Sequence, residues 1–421
     1  MNTMHVFKFG GASVKDAQGV RNVATVLNQT QETNLVIVIS AMGKTTNALE
    51  GVVACYFNEP TKLKQAIEAI KAYHWAICQE LFTDTNQLVF SHLQELITAL
   101  SSFLQTNKST NKAYVYDQVV GYGELLSTTI VSTYLTQKSI QNTWIDIRTC
   151  IVTDSSFRDA RVNWQTTKQH IVKNIAPKGI TITQGFLAAE ASNNFTTTLG
   201  REGSDYTAAI LAYCLDAAGV TIWKDVPGVL NADPRYFNTT RLLKHISYRE
   251  AIELAFYGAS VIHPKTLQPL QKKEIPLFVK SFYDPLSPGT CVGKGVTLDP
   301  KTACFILKKE QILLSLSSLD FSFMVEKNIS DVFTLLDTYK MKVSLIQNSA
   351  ISFSVVIDDA YHNLDSLLSS LRAAFRVSWN ENVTLYTIRH ASSKDVKSLI
   401  QNKKVLLKQE SRETIQVVIK D

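Results

Sequence analysis

Short apolar runs alternate with longer amphipathic stretches over about the first 300 residues of the chain. These short runs predict strands buried on both faces, and they lie at His5–Phe9, Leu35–Ile39, Gly179–Gln184, Val220–Trp223 and Pro276–Lys280. Helical spacing of apolar residues predicts helices between them, including Asp16–Asn28, Ser204–Cys214 and Ser247–Tyr257. Because strands alternate with helices, we expect an α/β fold with a mostly parallel central sheet that helices cover on both sides.

Two stretches depart from this alternation. Residues 49–115 show helical periodicity and few strand signals, and we interpret them as a helical insertion or lid. Near Asp284–Lys301, proline and glycine residues cluster in a loop-rich segment. We therefore predict a first domain over residues 1–298 and a second region over residues 299–421.

The second region predicts two small α+β units in tandem. The first unit, over about residues 310–380, has strand-like or helix-like runs at 312–316, 329–339, 342–346, 351–357 and 364–375. The second unit, over about residues 381–421, is shorter, with runs at 383–388, 394–401, 403–408 and 414–419.

Composition and charge are those of an ordinary globular protein, with 45% hydrophobic and 19% charged residues. The net charge of +6 is dispersed, which is typical of a solvated surface, so we expect no nucleic-acid partner. The six cysteines form no C-x-x-C pair, which favours buried reduced thiols over zinc ligands or disulfides. No signal-peptide pattern is apparent, and no apolar run approaches the roughly 18–20 residues of a membrane helix. We expect a cytoplasmic protein with no membrane contact.

The first cluster of chemically useful residues lies where the strand His5–Phe9 ends. Lys8 precedes Gly10, Gly11 and Ser13. Glycines let the backbone approach a phosphate group, and amides at a helix start offer hydrogen bonds to an anion. Lys8 can then reach a phosphoryl group during its transfer. The alternative is a tight strand–helix turn with an incidental lysine.

A second cluster, Ser40-Ala41-Met42-Gly43-Lys44-Thr45, follows the strand Leu35–Ile39. Its Gly-Lys-Thr looks like the end of a Walker A loop, but that pattern needs a glycine where this chain has Val38. The nucleotide chemistry is therefore not of the P-loop type. Hydroxyls and amides at the carboxyl end of a parallel strand nevertheless lie where open α/β sheets bind ligands.

Acidic residues lie at two predicted helix starts. Glu124 follows a Gly-x-Gly, where the helix dipole alone can explain a carboxylate. Arg201, Ser204 and Asp205 lie close together at the start of the helix predicted over Ser204–Cys214. Arg201 suits bidentate capture of a carboxylate, and Ser204 or Asp205 can cap the helix. Asp205 can also accept an ammonium group or order magnesium-bound water. The alternative is a plain capped loop.

A last charged loop follows the strand Val220–Trp223. It carries Lys224 and Asp225 and, farther along, Arg235. Charged groups at the carboxyl end of a strand fit a nucleotide pocket, and a surface turn is the alternative.

In sequence order, these segments resemble the aspartate kinases of the amino-acid kinase superfamily. The matching segments are KFGGASV at 8–14, SAMGKTTNAL at 40–49, GYGELLST at 121–128, TQGF at 183–186, TTLGREGSDYTAAI at 197–210, WKDVPGVLNADPR at 223–235 and YGASVIHPKTL at 257–267. The resemblance implies an αβα sandwich, the amino-acid kinase fold, that transfers the γ-phosphoryl group of ATP to the β-carboxylate of L-aspartate. The product is 4-phospho-L-aspartate, and the reaction opens lysine, threonine and methionine synthesis.

The resemblance also implies roles for single residues. Lys8, Arg201 and Asp205 form the catalytic set, in which Lys8 stabilises the transferring phosphoryl group and Arg201 clamps a carboxylate of aspartate. The implied substrate-binding residues are Ser40, Thr46, Glu124, Arg201, Ser204 and Asp205. The implied nucleotide-binding residues are Lys8, Gly10, Gly11, Ser13, Lys224, Asp225, Leu230, Arg235 and Ser260. We expect Mg²⁺ to arrive bound to ATP, with no metal site formed by the protein alone.

Two positions depart from the family pattern. Ser260 lies where some members have a lysine that contacts ATP, and Leu230 lies where a tyrosine is often found beside the nucleotide. Lys224 offers a positive charge that compensates for the first change.

The C-terminal units resemble, less closely, the tandem ACT-like, ferredoxin-like regulatory domains of the same enzymes. The resemblance implies an amino-acid effector and a homodimer or higher homo-oligomer. Lysine-sensitive relatives place an acidic residue near Ser344, and this chain has none there. Retention of these units for dimerisation alone stays open.

Two other classes of function also stay open. One is a kinase of the same superfamily that acts on glutamate, acetylglutamate or UMP, which the long chain and its ACT-like tail disfavour. The other is a non-catalytic amino-acid-binding regulator, which the presence of Lys8, Glu124, Arg201 and Asp205 disfavours.

Overall fold

The computed structural model describes residues 4–84, 87–259, 262–320 and 322–420, and the chain divides into two compact units. The first unit comprises Met1–Val229, Leu242–Ile252 and Val261–Asp299. The second comprises Leu230–Arg241, Glu253–Ser260 and Pro300–Asp421. The predicted domain limits of 1–298 and 299–421 stay a prediction, and two short segments from before residue 298 belong to the second unit.

The first unit contains strands and helices in alternation. Its strands are β1 (His5–Phe9), β2 (Asn34–Ile39), β3 (Thr143–Ile145), β4 (Val152–Thr153), β5 (Gly179–Gln184), β6 (Leu187–Glu190), β7 (Thr196–Thr198), β8 (Gly219–Lys224), β9 (His245–Ser247), β10 (Leu277–Ser281) and β11 (Thr290–Gly293). Its helices are α1 (Ala17–Thr30), α2 (Thr45–Asn58), α3 (Leu63–Leu81), α4 (Leu88–Thr106), α5 (Lys112–Val120), α6 (Tyr122–Gln137), α7 (Trp164–Asn174), α8 (Gly203–Leu215), α9 (Tyr248–Tyr257) and α10 (Pro264–Lys273). The residues of α9 from Glu253 onward belong to the second unit.

In the described part of the first unit, the large sheet has the order β3-β5-β2-β1-β8-β10-β11-β9. β1 lies between β2 and β8 and is parallel to both, and the antiparallel pair is β10 with β11. Every residue of β2 is buried, which explains its continuous apolar sequence. The predicted mostly parallel sheet of the amino-acid kinase fold is confirmed. Because these strands are parallel, the carboxyl ends of β1, β2, β5 and β8 meet at one edge of the sheet.

The predicted insertion is helical, as α2, α3, α4 and the start of α5 fill it. On α3 the buried residues recur at helical spacing, and they include Ile67, Ile70, His74, Ile77 and Leu81. This apolar stripe joins the same core as the inward faces of β1 and α1. These residues are therefore largely helical, whereas their role as an insertion or lid stays a prediction.

The sequence pattern does not predict the small sheet β4-β6-β7. Its strands contain two to four residues, which is too few to display an alternating pattern. β7 lies just before the segment that carries Arg201 and Asp205.

In its described residues, the second unit contains an antiparallel sheet and three helices besides the end of α9. The strands are β12 (Cys304–Ser318), β13 (Lys342–Asn348), β14 (Ser352–Asp358), β15 (Phe375–Arg389), β16 (Lys404–Glu410) and β17 (Thr414–Lys420), and the helices are α11 (Glu326–Thr338), α12 (Leu364–Arg372) and α13 (Ser393–Ile400). The sheet has the order β13-β14-β12-β15-β17-β16. The predicted C-terminal α+β region is confirmed in this form.

The two long strands explain how the short second α+β repeat is completed. β12 and β15 each have 15 residues and run through both halves of the sheet. The first part of β12 pairs with the last part of β15, from Cys304 with Arg389 to Lys308 with Leu385. The start of β12 therefore supplies the edge strand that residues 381–421 do not contain.

No disulfide joins the six cysteines, all of which lie in the described ranges. In those same ranges, no helix is both long and apolar enough to cross a membrane.

Candidate functional site

Lys8 and Asp205 form an ion pair at the carboxyl edge of the large sheet. The Lys8 Nζ atom lies 2.5 Å from Asp205 Oδ1, and the two side chains are only 11% and 3% exposed. Lys224 Nζ, at the end of β8, lies 3.9 Å from Asp205 Oδ2. The parallel pairing of β1 with β8 brings the two lysines to the same edge, and the first turn of α8 supplies the carboxylate. Such an edge is where open α/β sheets bind ligands.

The start of α8 differs from the prediction that Ser204 or Asp205 caps this helix. The helix begins at Gly203, and the residue before it, Glu202, is in the left-handed region (φ 53°) without a side-chain cap. The capping prediction is wrong because the helix begins before both residues, so both lie inside its first turn. The helix dipole there favours a carboxylate, and the Asp205 oxygens face Lys8 and Lys224 instead of the helix amides.

Glu124 is a second buried carboxylate of the site. It lies in the first turn of α6, and its Oε1 accepts a hydrogen bond of 3.4 Å from the Ala41 amide. Its Oε2 is buried without a hydrogen-bond partner among the described residues. Burial raises the pKa of Glu124 to about 8, although the Ala41 amide and the charge of Lys8 act in the opposite direction. A buried oxygen with unused hydrogen-bonding capacity is suited to a donor carried by a ligand.

The loops after β1 and β2 pack tightly against each other. Gly43 N donates to Gly11 O at 3.0 Å, and Ser40 N donates to Phe9 O at 3.1 Å. A Cβ atom at Gly11 would lie 2.7 Å from Ala41 O and 3.0 Å from Gly43 O, so a glycine is required there. A Cβ atom at Gly10 would lie 3.4 Å from Lys8 Nζ, which shows that the lysine amine lies over this loop.

The remaining predicted residues of the first unit differ in exposure. Ser40, at the end of β2, and Thr46, in the first turn of α2, are half-buried. Ser204 is buried, whereas Asp225 is exposed after β8. The buried Ser13 hydroxyl donates to Trp223 O at 3.3 Å, so it fastens the turn after β1 to β8.

Arg201 stands on the segment between β7 and α8. Its side chain is exposed, and it forms no ion pair with any other residue in the described ranges. Its guanidinium is therefore available to an external carboxylate.

Three predicted nucleotide-binding residues do not belong to the described part of the first unit. Leu230 and Arg235 belong to the second unit, where Arg235 makes a bidentate contact with Asp233. Ser260 lies outside the described residues. A role for these three residues beside the nucleotide stays a prediction.

The sequence reasoning missed Asp117, a fully buried carboxylate in α5. Burial raises the pKa of Asp117 to about 6, and hydrogen bonds from the Arg158 amide and from Thr198 oppose that increase. The signal for it in the sequence was an aspartate between the apolar residues Val115 and Val119. No group of three or more His, Cys, Asp or Glu side chains is arranged to hold a metal ion in the described part of the chain.

Comparisons with known proteins agree on one family. The amino acid kinase family matches residues 3–281 of the chain. Lysine-sensitive aspartokinase 3 of Escherichia coli (strain K12) is 32% identical over 400 residues, which cover 92% of this chain and 87% of that protein. Aspartokinase 1, chloroplastic, of Arabidopsis thaliana is 30% identical over 364 residues, covering 84% of this chain and 63% of that longer protein.

A solved structure agrees with the sequence relatives. The crystal structure of E. coli aspartokinase III in complex with aspartate and ADP superposes with a TM-score of 0.82 at 29% sequence identity. The match covers 99% of this chain and 96% of that chain.

Proposed function

Because the chain belongs to the amino acid kinase family, and within it to the aspartokinases, we propose that it transfers the γ-phosphoryl group of ATP to the β-carboxylate of L-aspartate. The product is 4-phospho-L-aspartate, and the reaction is the first step in the synthesis of amino acids derived from aspartate. The observation that carries the proposal is the buried cluster of Lys8, Asp205 and Glu124 at the carboxyl edge of the sheet.

The charges of this cluster favour an acceptor that carries an ammonium group. Glu124 and Asp205 are both buried acids, and a buried carboxylate is stabilised by a cationic hydrogen-bond donor. Aspartate offers such a donor, whereas UMP and acetylglutamate do not. We assign the amino group of aspartate to Glu124 and Asp205, and one of its carboxylates to Arg201. Ser40, Thr46 and Ser204 complete the acceptor pocket.

Phosphoryl transfer at this site needs positioning and charge stabilisation more than covalent chemistry. The aspartate β-carboxylate attacks the γ-phosphorus in line, and ADP leaves. Lys8 stabilises the negative charge on the transferring group, and Asp205 holds its amine at the edge of the sheet. Because Lys8 is largely removed from water, its charge acts more strongly than a solvated lysine would.

The nucleotide lies on the loops after β1 and β8 in this proposal. Gly10, Gly11, Ser13, Lys224 and Asp225 form its site in the first unit. Leu230, Arg235 and Ser260 are assigned to the nucleotide by the sequence resemblance alone.

Magnesium enters this scheme with ATP, and it supplies charge neutralisation on the phosphates when bound. Asp205 would be the carboxylate at this edge that accepts from magnesium-bound water if Glu124 alone held the amino group of aspartate. Lys8 and Lys224 flank the same carboxylate, so the protein adds two cationic groups of its own.

The second unit is assigned to regulation and assembly. We propose that it binds an amino-acid effector and contributes to a homodimer or larger homo-oligomer, and that the enzyme works in the cytoplasm. The supporting observation is the α+β sheet of this unit, together with the 32% identity to a lysine-sensitive aspartokinase over most of the chain.

A panel of acceptors tests the proposed function. ADP release is measured with Mg-ATP and, in separate reactions, L-aspartate, L-glutamate, N-acetyl-L-glutamate and UMP. We expect kcat/KM to be highest for aspartate by at least about 100-fold, since the pocket is matched to its ammonium and carboxylate groups. A preference for N-acetylglutamate or UMP would overturn the assignment of the buried acids to an amino group.

A further inference from the structure

The strand β7 lies at one edge of the sheet β4-β6-β7, and side chains of α5 occupy its open side. Gln118 Oε1 accepts from Thr196 N at 3.1 Å, and Gln118 Nε2 donates to Thr196 O at 2.7 Å. One side-chain amide therefore satisfies both backbone groups of Thr196, as a neighbouring strand would.

Asp117 holds the other end of the same strand. Its Oδ2 accepts from Thr198 N and from Arg158 N, both at 2.9 Å, and its Oδ1 pairs with the Thr198 hydroxyl at 2.8 Å. The carboxylate has no exposed surface. Three donors on one buried carboxylate fix both β7 and the loop at Arg158 with little freedom to move.

The strand continues directly into the segment that carries Arg201. On its other side, Lys265 Nζ donates to Leu199 O at 3.2 Å and pairs with Asp159. Gly200, between Leu199 and Arg201, has φ 77°, so the turn there takes a left-handed conformation that suits glycine. Arg201 is exposed, so the position of its guanidinium depends on the backbone that Asp117 and Lys265 hold.

The helix α5, whose side chains bond to β7, also leads into the segment that carries Glu124. α5 ends at Val120, and Glu124 lies in the first turn of α6, which begins at Tyr122. We propose that Asp117 is a positioning residue for the acceptor amino acid, because it sets the placement of Arg201 relative to Glu124 through Thr198. The inference rests on the proposed function, in which Glu124 and Arg201 hold the ammonium and carboxylate ends of aspartate.

Substitutions at Asp117 test this role, with KM for aspartate measured separately from KM for ATP. We expect Asp117→Ala to raise KM for aspartate by about tenfold or more, because three hydrogen bonds to β7 and its neighbouring loop are lost. KM for ATP should change by less than about threefold, since the nucleotide loops are untouched. Asp117→Asn is the matched conservative variant. Its amide oxygen can accept both backbone bonds and its NH2 can donate to the Thr198 hydroxyl, so it should retain KM for aspartate within about threefold.

A second pair of variants covers the case in which Asp117→Ala does not fold. Thr198→Val removes the hydroxyl partner with little change in volume, and Thr198→Ser retains it. We expect the valine variant alone to raise KM for aspartate, by about threefold.

The outcomes separate the inference from the proposed function. An inactive wild-type enzyme with every acceptor would reject the proposed function itself. An active wild type in which Asp117→Ala, or Thr198→Val if that variant does not fold, lowers the melting temperature but leaves KM for aspartate unchanged would reject only the positioning role. Equal increases in both KM values would also reject it.

Discussion

The Lys8–Asp205 pair is buried on both sides, so each charge depends on its partner for compensation. Asp205 has a second cation, Lys224, at 3.9 Å, whereas among the described residues Lys8 forms its ion pair with Asp205. Because two lysines share the Asp205 carboxylate, Lys8 at the end of β1 can turn towards an incoming phosphoryl group while Lys224 continues to face the carboxylate.

Replacing Lys8 by alanine tests this role. We expect Lys8→Ala to lower kcat by at least about 100-fold, because a charge held at the transferring group is lost. Lys15→Ala is the matched control, since Lys15 lies on the same segment with an exposed side chain, and it should retain activity. Steady-state kinetics with the melting temperature of each variant make the measurement. Full turnover by a folded Lys8→Ala protein would contradict the assigned role.

The raised pKa of Glu124 predicts how aspartate binding depends on pH. With a pKa of about 8, Glu124 is mostly protonated at pH 7 in the unliganded enzyme, but it must be ionised to accept an ammonium group. KM for aspartate should therefore fall as pH rises from about 7 to about 9. Glu124→Gln cannot titrate, so its KM should be higher and nearly flat over that range. A pH-independent KM in the wild type would contradict the assignment of Glu124 to the amino group.

Single residues of the site were predictable where a local pattern marked them, but their contacts were not. Lys8 lies near the end of a strand, and Glu124 and Asp205 lie at helix starts, which made them visible as candidates. Their meeting depends on the pairing of β1 with β8 and on the path of α8, which a sequence of one chain does not contain. Asp117 was missed because one aspartate in a short helix is more typical of a solvated surface.

At the level of elements, the close approach of the loops after β1 and β2 shapes the site. The Gly11 backbone accepts from Gly43 N, and there is no room for a side chain at Gly11 between Ala41 O and Gly43 O. The obstructing atoms are backbone, so they cannot rotate away. The spacing of the two loops is therefore set by a glycine.

A pair of glycine substitutions tests this spacing. Gly11→Ala should destabilise the protein by about 1–3 kcal/mol, because the methyl group must push two backbone segments apart. It should also lower kcat/KM. Gly51→Ala is the control, since Gly51 is exposed in α2 and an added Cβ atom there would meet nothing within 4 Å. This substitution should stabilise the protein by roughly 0.5–1 kcal/mol. Urea unfolding measures both, and a Gly11→Ala variant as stable as the wild type would contradict the packing argument.

Length decides which elements were predictable. β1, β2, β5 and β8 have five or six residues each, which is long enough for a strand pattern to show in the sequence. β4 and β7 have two and three residues, and Gln118, whose side chain bonds to the open edge of β7, lies far away in the sequence. The start of α8 was misjudged because Glu202 adopts a left-handed conformation that is uncommon outside glycine.

At the scale of the whole molecule, the chain combines a kinase unit with a second unit. The two halves of the second unit share one six-stranded sheet. Sequence reasoning predicted the two halves of that sheet as separate α+β repeats. It could not predict that β12 and β15 run through both halves, because the bulges near Lys308 and Gln311 interrupt the pattern along β12.

The charge near Ser344 predicts how the second unit responds to lysine. Lys308 Nζ donates to Ser344 Oγ at 3.1 Å, and burial together with the charge of Lys342 lowers the pKa of Lys308. A lysine side chain brought to Ser344 would meet this cation instead of the acidic group that the sequence resemblance leads us to expect there. We expect isothermal titration with L-lysine to give no saturable heat. Lys308→Met removes the repulsion as a control, and saturable lysine binding to the wild type would contradict the argument.

The central claim is that the chain phosphorylates the β-carboxylate of aspartate, and trapping the acyl phosphate tests it most directly. The protein is incubated with Mg-ATP, hydroxylamine and either L-aspartate or L-glutamate, and the hydroxamate is measured. We predict aspartyl hydroxamate with aspartate and little product with glutamate, since one additional methylene displaces the carboxylate from Lys8. Product with glutamate but not with aspartate would contradict the account.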